Sequence, residues 1–168
     1  ALVVAASDSR GTLYNALGLP YKKLMTTKKR TGSVVNDPNG EKLAGKDIFE
    51  LDVDVLVPAA LPDVITDENV DRVKASIIVE GANIPMKEHI EEILHRRGVL
   101  VIPDFVANAG GVISSYAEHA GFNEKKMFAL VEEKITNSMN ALLTEIKRTN
   151  RVPREIANEL ALRMIHKK

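Results

Sequence analysis

Four short stretches in this sequence each close an apolar run: Ser7-Asp8-Ser9, Pro58-Ala59-Ala60, Glu80-Gly81-Ala82-Asn83 and Asp104-Phe105-Val106-Ala107-Asn108. A carboxylate fixed at a strand end, such as Asp8, can accept hydrogen bonds from both hydroxyls of an adenine ribose. An ordinary turn over Asp-Ser-Arg-Gly is the other reading of the same residues. Asn83 follows Gly81 and Ala82, which are small enough to let a flat ring approach the backbone. Its carboxamide offers a donor and an acceptor, the complement of another carboxamide such as nicotinamide; the alternative is a turn that closes before Pro85. Asn108 stands before Ala109, Gly110 and Gly111, at the head of a helical pattern. Glycine there lowers helix stability by roughly 1 kcal/mol relative to alanine. An N-cap role explains Asn108 but not the run of small residues behind it, whereas a ligand lying against the backbone explains both. The basic run Lys28, Lys29 and Arg30 meets a 2′-phosphate if its helix end lies near Asp8, and is otherwise a solvated helix terminus.

These residues need strands and helices to hold them. DVLVPAA (Asp54 to Ala60), SIIVEGAN (Ser76 to Asn83) and VLVIPDF (Val99 to Phe105) are apolar without alternation, as in strands buried on both faces of a parallel sheet. LVVAAS at the N-terminus reads as a further strand of the same kind. DENVDRVKA, with Thr66 as candidate N-cap, and PMKEHIEEILHRRG, with Pro85 in its first turn and Gly98 as its stop, read as the intervening helices. Repeated strand–helix–strand units stack into an α/β doubly wound, mostly parallel sheet, whose ligands sit outside the carboxyl ends of the strands. All the polar strand ends are therefore expected on one rim. Between Gly11 and Gly45 the pattern predicts that TLYN pairs back on the first strand, that PYKKLMTTKKR is a helix ending near Gly32, and that the remainder is turn-rich loop. From Glu124, Phe128, Val131, Ile135, Met139, Leu142 and Ile146 mark one long amphipathic helix. Pro153 opens a second, with Ile156, Leu160, Met164 and Ile165 on its apolar stripe.

Bulk properties set the frame. The 168 residues suit one domain with a real core. The 23 basic residues equal the 23 acidic ones, so no overall field favours nucleic acid or anionic lipid. No apolar run is long enough for a membrane span and no signal peptide opens the chain, which makes a cytoplasmic location the expectation. There is no cysteine, so thiolate chemistry and disulfides are excluded. His89, His95, His119 and His166 lack paired spacing, and no metal site is expected. The chain opens directly on a strand and reads as a piece of a longer one; the glycine-rich loop G-x-G-x-x-G of a dinucleotide site does not occur in it.

VVAASDSRGTLYN, LDVDVLVPAALPDVIT, IIVEGANIP and IPDFVANAGGVISSY, in that order and at these separations, resemble the cofactor domain of the glutamate dehydrogenase (Glu/Leu/Phe/Val dehydrogenase) family. The likeness runs to about Tyr116 and, more loosely, through the two terminal helices. It implies a Rossmann-like domain truncated at its N-terminus: residues 1–122 as the partial dinucleotide-binding domain, and 123–168 as its helical extension. It also implies an NAD- or NADP-dependent, reversible oxidative deamination of L-glutamate to 2-oxoglutarate and ammonia. By the resemblance Asp8, Ser9, Ala59, Ala60, Asn83, Asn108 and Gly110 bind the cofactor, and Gly110 and Gly111 make room beside the nicotinamide ring. Val112 and Ser115 face the substrate, the Ser115 hydroxyl favouring glutamate over apolar amino acids, because a site built to hydrogen-bond rejects a ligand that cannot reciprocate. Lys28, Lys29 and Arg30 stand where NADP users compensate the acid. The family's catalytic lysines and aspartate belong to another domain, so no catalytic residue is assigned in this chain. Homo-oligomers, commonly hexamers, are the implied assembly. The competing reading is a non-catalytic nucleotide-binding or subunit-pairing module derived from the same fold.

Overall fold

The computed structural model describes residues 1–166. They form two compact units, one of Ala1–Asp52 with Arg72–Lys74, the other of residues 53–71 with the chain from 75 onward.

In the first unit, β1 (Ala5–Asp8), β2 (Gly11–Tyr14) and β3 (Glu41–Leu43) make an antiparallel sheet in that order. The register pairs Asp8 with Gly11, so Ser9 and Arg10 form the hairpin turn, and the Arg10 N–H donates to Asp8 Oδ1 at 3.0 Å. This is the turn chemistry that aspartate offers at such a position. α1 (Tyr21–Thr31) ends where Gly32 turns left-handed at φ 80° and donates its N–H to the Lys28 carbonyl, a conformation that glycine adopts without steric penalty. Leu13, Leu19, Leu24, Val34 and Val35 form the core. The return strand TLYN and the helix ending at Gly32 are thus as the sequence predicts. The first strand is not a member of the parallel sheet, however. The hairpin brings β2 back at once, and β2 supplies its ladder of hydrogen bonds. The expected loop also holds more order than its turn residues suggest, because Glu41–Leu43 completes the ladder on β2.

In the second unit, β4 (Val55–Leu56), β5 (Ile77–Val79) and β6 (Leu100–Ile102) run parallel in that order. Leu56 pairs with Ile78, and Ile78 with Val101. Ile78 and Leu94 are fully buried, as are Ile65, Met86, Ile90 and Val101 at 1% exposure, which places the core between this sheet and α2 (Glu88–Arg96). Two helix assignments need correction. DENVDRVKA forms only a single turn of 3-10 helix at Val70–Arg72. Thr66 and Asn69 cap that turn, Thr66 Oγ1 accepting the Glu68 N–H at 3.3 Å and Asn69 Oδ1 the Thr66 N–H at 2.8 Å, but the Val70 carbonyl, which a continuing helix would use, accepts from Arg97 Nη1. Pro85 lies before the helix rather than in its first turn, since α2 starts after Lys87; the Pro85 carbonyl instead accepts the N–H groups of Val64 and Ile65 at 2.8 and 3.1 Å.

α3 (Asp104–Ala107) and α4 (Gly110–His119) follow β6. Asn108 ends α3 and does not cap α4, whose N-cap is Ala109 without a side-chain hydrogen bond. α5 (Glu124–Thr149) and α6 (Pro153–Ile165) match the predicted terminal helices. The Asn123 side chain caps α5 by accepting the Lys126 N–H at 2.9 Å, and Pro153 occupies the first turn of α6. Leu142, Ile156, Ala157 and Val106 bury their side chains together, with Met139, Ile146 and Leu160 packed around them. The apolar stripes of both helices are thereby used only in part within the unit, since Phe128, Met164 and Ile165 remain exposed.

Candidate functional site

Asp8 sits at the end of β1 with its carboxylate largely enclosed. Oδ1 accepts from Arg10 N–H and from the Ser33 hydroxyl at 2.9 Å; Oδ2 accepts from Val34 N–H at 2.8 Å and lies 3.5 Å from Lys28 Nζ. Burial works to raise the carboxyl's pKa, but hydrogen bonds from Val34, Arg10 and Ser33, with the Lys28 charge, outweigh it and hold Asp8 below the usual carboxylate value. It is an anion fixed in direction. Of the basic run, Lys28 reaches Asp8, while Lys29 and Arg30 are exposed in the last turn of α1, where positive charge complements the helix dipole. Ser9 is an exposed turn residue.

In the second unit the ends of β4, β5 and β6 build a rim. Gly81 and Ala82 donate their N–H groups to the Pro58 carbonyl at 3.0 and 2.9 Å, and a Cβ on Gly81 would lie 3.0 Å from that of Ala59. The smallness of Gly81 is thus required by the approach of two loops. Ala59 and Ala60 are exposed beside it. Asn83 and Asn108, 25 positions apart, meet: Asn108 Nδ2 donates to Asn83 Oδ1 at 2.7 Å. Ile84, just after Asn83, takes a positive φ of 48°, which costs on the order of 1 kcal/mol or more for a β-branched residue. It is held there by its N–H, which donates to Asp104 Oδ2 at 3.0 Å.

The two glycines heading α4 have different surroundings. A Cβ on Gly110 would meet Val131 Cγ1 at 3.3 Å and Ile135 Cδ1 at 3.5 Å, both on α5, whereas a Cβ on Gly111 would meet nothing within 4 Å. Close packing of α4 on α5 is therefore reason enough for Gly110, and only Gly111 leaves open space. Val112 is 77% exposed, and Ser115, also exposed, donates its hydroxyl back to the Gly111 carbonyl at 3.1 Å.

The sequence reading missed a buried charge cluster under the rim. From α6, Arg154 Nε donates to Glu91 Oε1 at 2.7 Å, and Nη2 donates to Glu80 Oε2 at 3.0 Å and Asp104 Oδ1 at 3.1 Å. Asp104 N–H also donates to Glu80 Oε2, at 2.8 Å. Glu80 is fully buried, and Oε1 of Glu80 and Oε2 of Glu91 have no hydrogen-bond partner among the described residues. Burial, and then the charge of Glu91, push Glu80 up to about 8. Burial also pushes Glu91 up to about 7, against the pull of Arg154. Two signals were there to be read: a glutamate closing the apolar run SIIV, and Glu91 on the apolar stripe of α2 between Ile90 and Leu94.

The sequence pattern of the Glutamate/Leucine/Phenylalanine/Valine dehydrogenase family matches residues 1–168. The chain belongs to that family. It is 43% identical over 150 residues to a glutamate dehydrogenase of Aeropyrum pernix, covering 86% of this chain and 36% of that protein. It is 39% identical over 154 residues to an NADP-specific glutamate dehydrogenase of Saccharolobus shibatae, covering 88% of this chain and 36% of that one. Among solved structures, a hetero-hexameric glutamate dehydrogenase from Thermus thermophilus superposes with a TM-score of 0.83 at 27% identity, over 99% of this chain and 40% of its own. The chain thus spans little more than a third of the length of these two curated relatives, and its α/β fold is that of the family. No helix among the described residues is long and apolar enough to cross a membrane.

The family implies a nicotinamide dinucleotide, and the residues present fit one. One N–H of Asn108 Nδ2 goes to Asn83 Oδ1, and the pair keeps the Asn83 amino group and the Asn108 carbonyl oxygen without partners among the described residues. A carboxamide pair with donor and acceptor capacity left over is chemically suited to another carboxamide. Asp8, in the other unit, is ionised, with both carboxylate oxygens already engaged by Arg10, Ser33 and Val34.

Proposed function

We propose that this member of the glutamate/leucine/phenylalanine/valine dehydrogenase family supplies the NAD(P)-binding part of an amino-acid dehydrogenase. Its reaction is the reversible oxidative deamination of L-glutamate to 2-oxoglutarate and ammonia. The observation that carries this reading is the Asn83–Asn108 pair at the rim of β4–β6, with its free donor and acceptor.

On this reading Asp8 and Ser9 receive the adenine ribose, and Asn83 and Asn108 orient the nicotinamide carboxamide. Ala59, Ala60 and the backbone at Gly110 and Gly111 border the ring. Val112 and Ser115 contact the amino acid, and turning the Ser115 hydroxyl from the Gly111 carbonyl to the substrate's side-chain carboxylate favours glutamate. When bound, the nicotinamide accepts hydride from the substrate's α-carbon; the chain's own work is to fix the ring and exclude competing orientations. Proton transfer is assigned to no residue of the chain. Lys28, 3.5 Å from Asp8, offsets the acid's repulsion of a 2′-phosphate, so the reading admits NADP beside NAD, with Lys29 and Arg30 as further phosphate partners. Residues 123–168 extend the same domain. The whole protein works in the cytoplasm as a homo-oligomer.

Titration calorimetry of the chain with NAD and with NADP tests this. Weak binding of at least one, reduced roughly tenfold by Asn108→Ala for the loss of a hydrogen bond to ligand, is the expected result. Lys28→Ala is expected to weaken NADP more than NAD. Absence of binding by both dinucleotides, in a chain that remains folded, would remove the reading.

A further inference from the structure

The buried cluster under the rim has a geometry that bears on the asparagine pair above it. Asp104 opens α3, the helix that ends at Asn108, and its carbonyl accepts the Asn108 N–H at 2.7 Å. The same residue's carboxylate holds the Ile84 N–H, and with it the strained turn that presents Asn83. One residue therefore fixes both loops, Asn108 through its backbone carbonyl and Ile84 through its carboxylate. Asp104 is fixed in turn by Arg154 and, through its own N–H, by Glu80. The Arg154 guanidinium also lies over the Phe105 ring, 5.5 Å from its centroid.

We propose that Arg154 is a positioning residue for the Asn83–Asn108 pair, acting through Asp104 and Glu80, and that protonation within the Glu80–Glu91 pair sets how firmly it holds them. The inference deepens the reading of the asparagine pair as a dinucleotide contact and rests on that reading for its functional weight. Among the described residues, Arg154 is the one cation paired with all three carboxylates. Around them, Glu91 and Asp104 face Glu80, and Asp104 and Glu88 face Glu91, all with like charge. With one glutamate protonated, Arg154 bridges the other two groups and Asp104 stays in place. With both ionised, repulsion acts on Asp104 as well, and the hold on Ile84 loosens. Both glutamates titrate high because burial penalises their charge, which brings this change within reach of ordinary working pH.

Amide exchange and side-chain amide spectra of the full 168-residue chain test the proposal. In Arg154→Lys, which keeps the charge but cannot fork to three partners, the protection factor of the Ile84 N–H is expected to fall about tenfold, as for one lost charge-assisted hydrogen bond. The Asn108 side-chain amide signals should shift, while Ile78 in the β5 ladder stays protected. In the unaltered chain the same Asn108 signals should titrate between about pH 6 and about pH 9, and Glu80→Gln should move or abolish that titration. The titration needs no variant, so it decides the matter even if Arg154→Lys does not fold. Asn108 and Ile84 signals that are flat across that range, or unmoved in a folded Arg154→Lys chain, would overturn the proposal. If they respond as expected while the chain binds neither NAD nor NADP, the positioning network stands and the dinucleotide reading alone falls.

Discussion

Asp8 is the residue whose surroundings say most about what it does unbound. Both carboxylate oxygens are engaged within the unit, and the hydrogen bonds from Val34, Arg10 and Ser33 hold it ionised. Its pKa lies below the ordinary 3.8, so the stability it contributes is present above that value and is lost as pH falls through the lower folded-state value. Asp8→Ala is expected to destabilise the first unit by about 1–3 kcal/mol at neutral pH, because the buried Ser33 and Val34 donors lose their acceptor; a urea titration at fixed pH measures it. The aspartate itself was legible as the end of a β-branched run followed by turn residues. Its partner Ser33 was not, since nothing in the spacing of residues 25 positions apart indicates that a hydroxyl will close on it.

At the level of elements, the glycines at the head of α4 separate two effects that the sequence runs together. Gly111→Ala adds a methyl group to open space. It should raise thermal stability, by up to about 1 kcal/mol from helix propensity, while weakening dinucleotide binding if the ring lies against that turn. A gain in melting temperature with unchanged affinity would show that the space is not the ligand's. Gly110→Ala presses instead on Val131 and Ile135 of α5 and should lose that stability gain. Helices with a long apolar period, such as α5 and α6, could be read directly from the chain, as could the return strand at Thr12 and the stop at Gly32. Thr66 to Ala75 could not, because the side chain that takes the Val70 carbonyl is Arg97, 27 positions along the chain. The membership of β1 was misread for a related reason. An apolar run shows that a strand is buried, not which neighbour pairs with it.

For the molecule as a whole, the pH dependence of stability should carry two opposite signatures. Glu80 and Glu91 have folded-state values above the ordinary 4.5, so the stability they lend is complete below that pH and is lost as pH rises through about 7 and about 8. Asp8 and Asp104 are held below 3.8 and lose their contribution only in acid. The second unit is therefore expected to weaken by about 1–3 kcal/mol between mildly acidic and mildly alkaline conditions, and Glu80→Gln should flatten that slope. Denaturant unfolding followed at several pH values checks both. The link between Arg154 and Glu80 also bears on synthesis. The two are 74 positions apart, so when the ribosome releases β5, the arginine that will bond to the glutamate just beyond that strand has not yet been translated. Until it emerges, the nascent chain must leave that edge hydrated, and the strand ends cannot settle into their final arrangement before α6 is made.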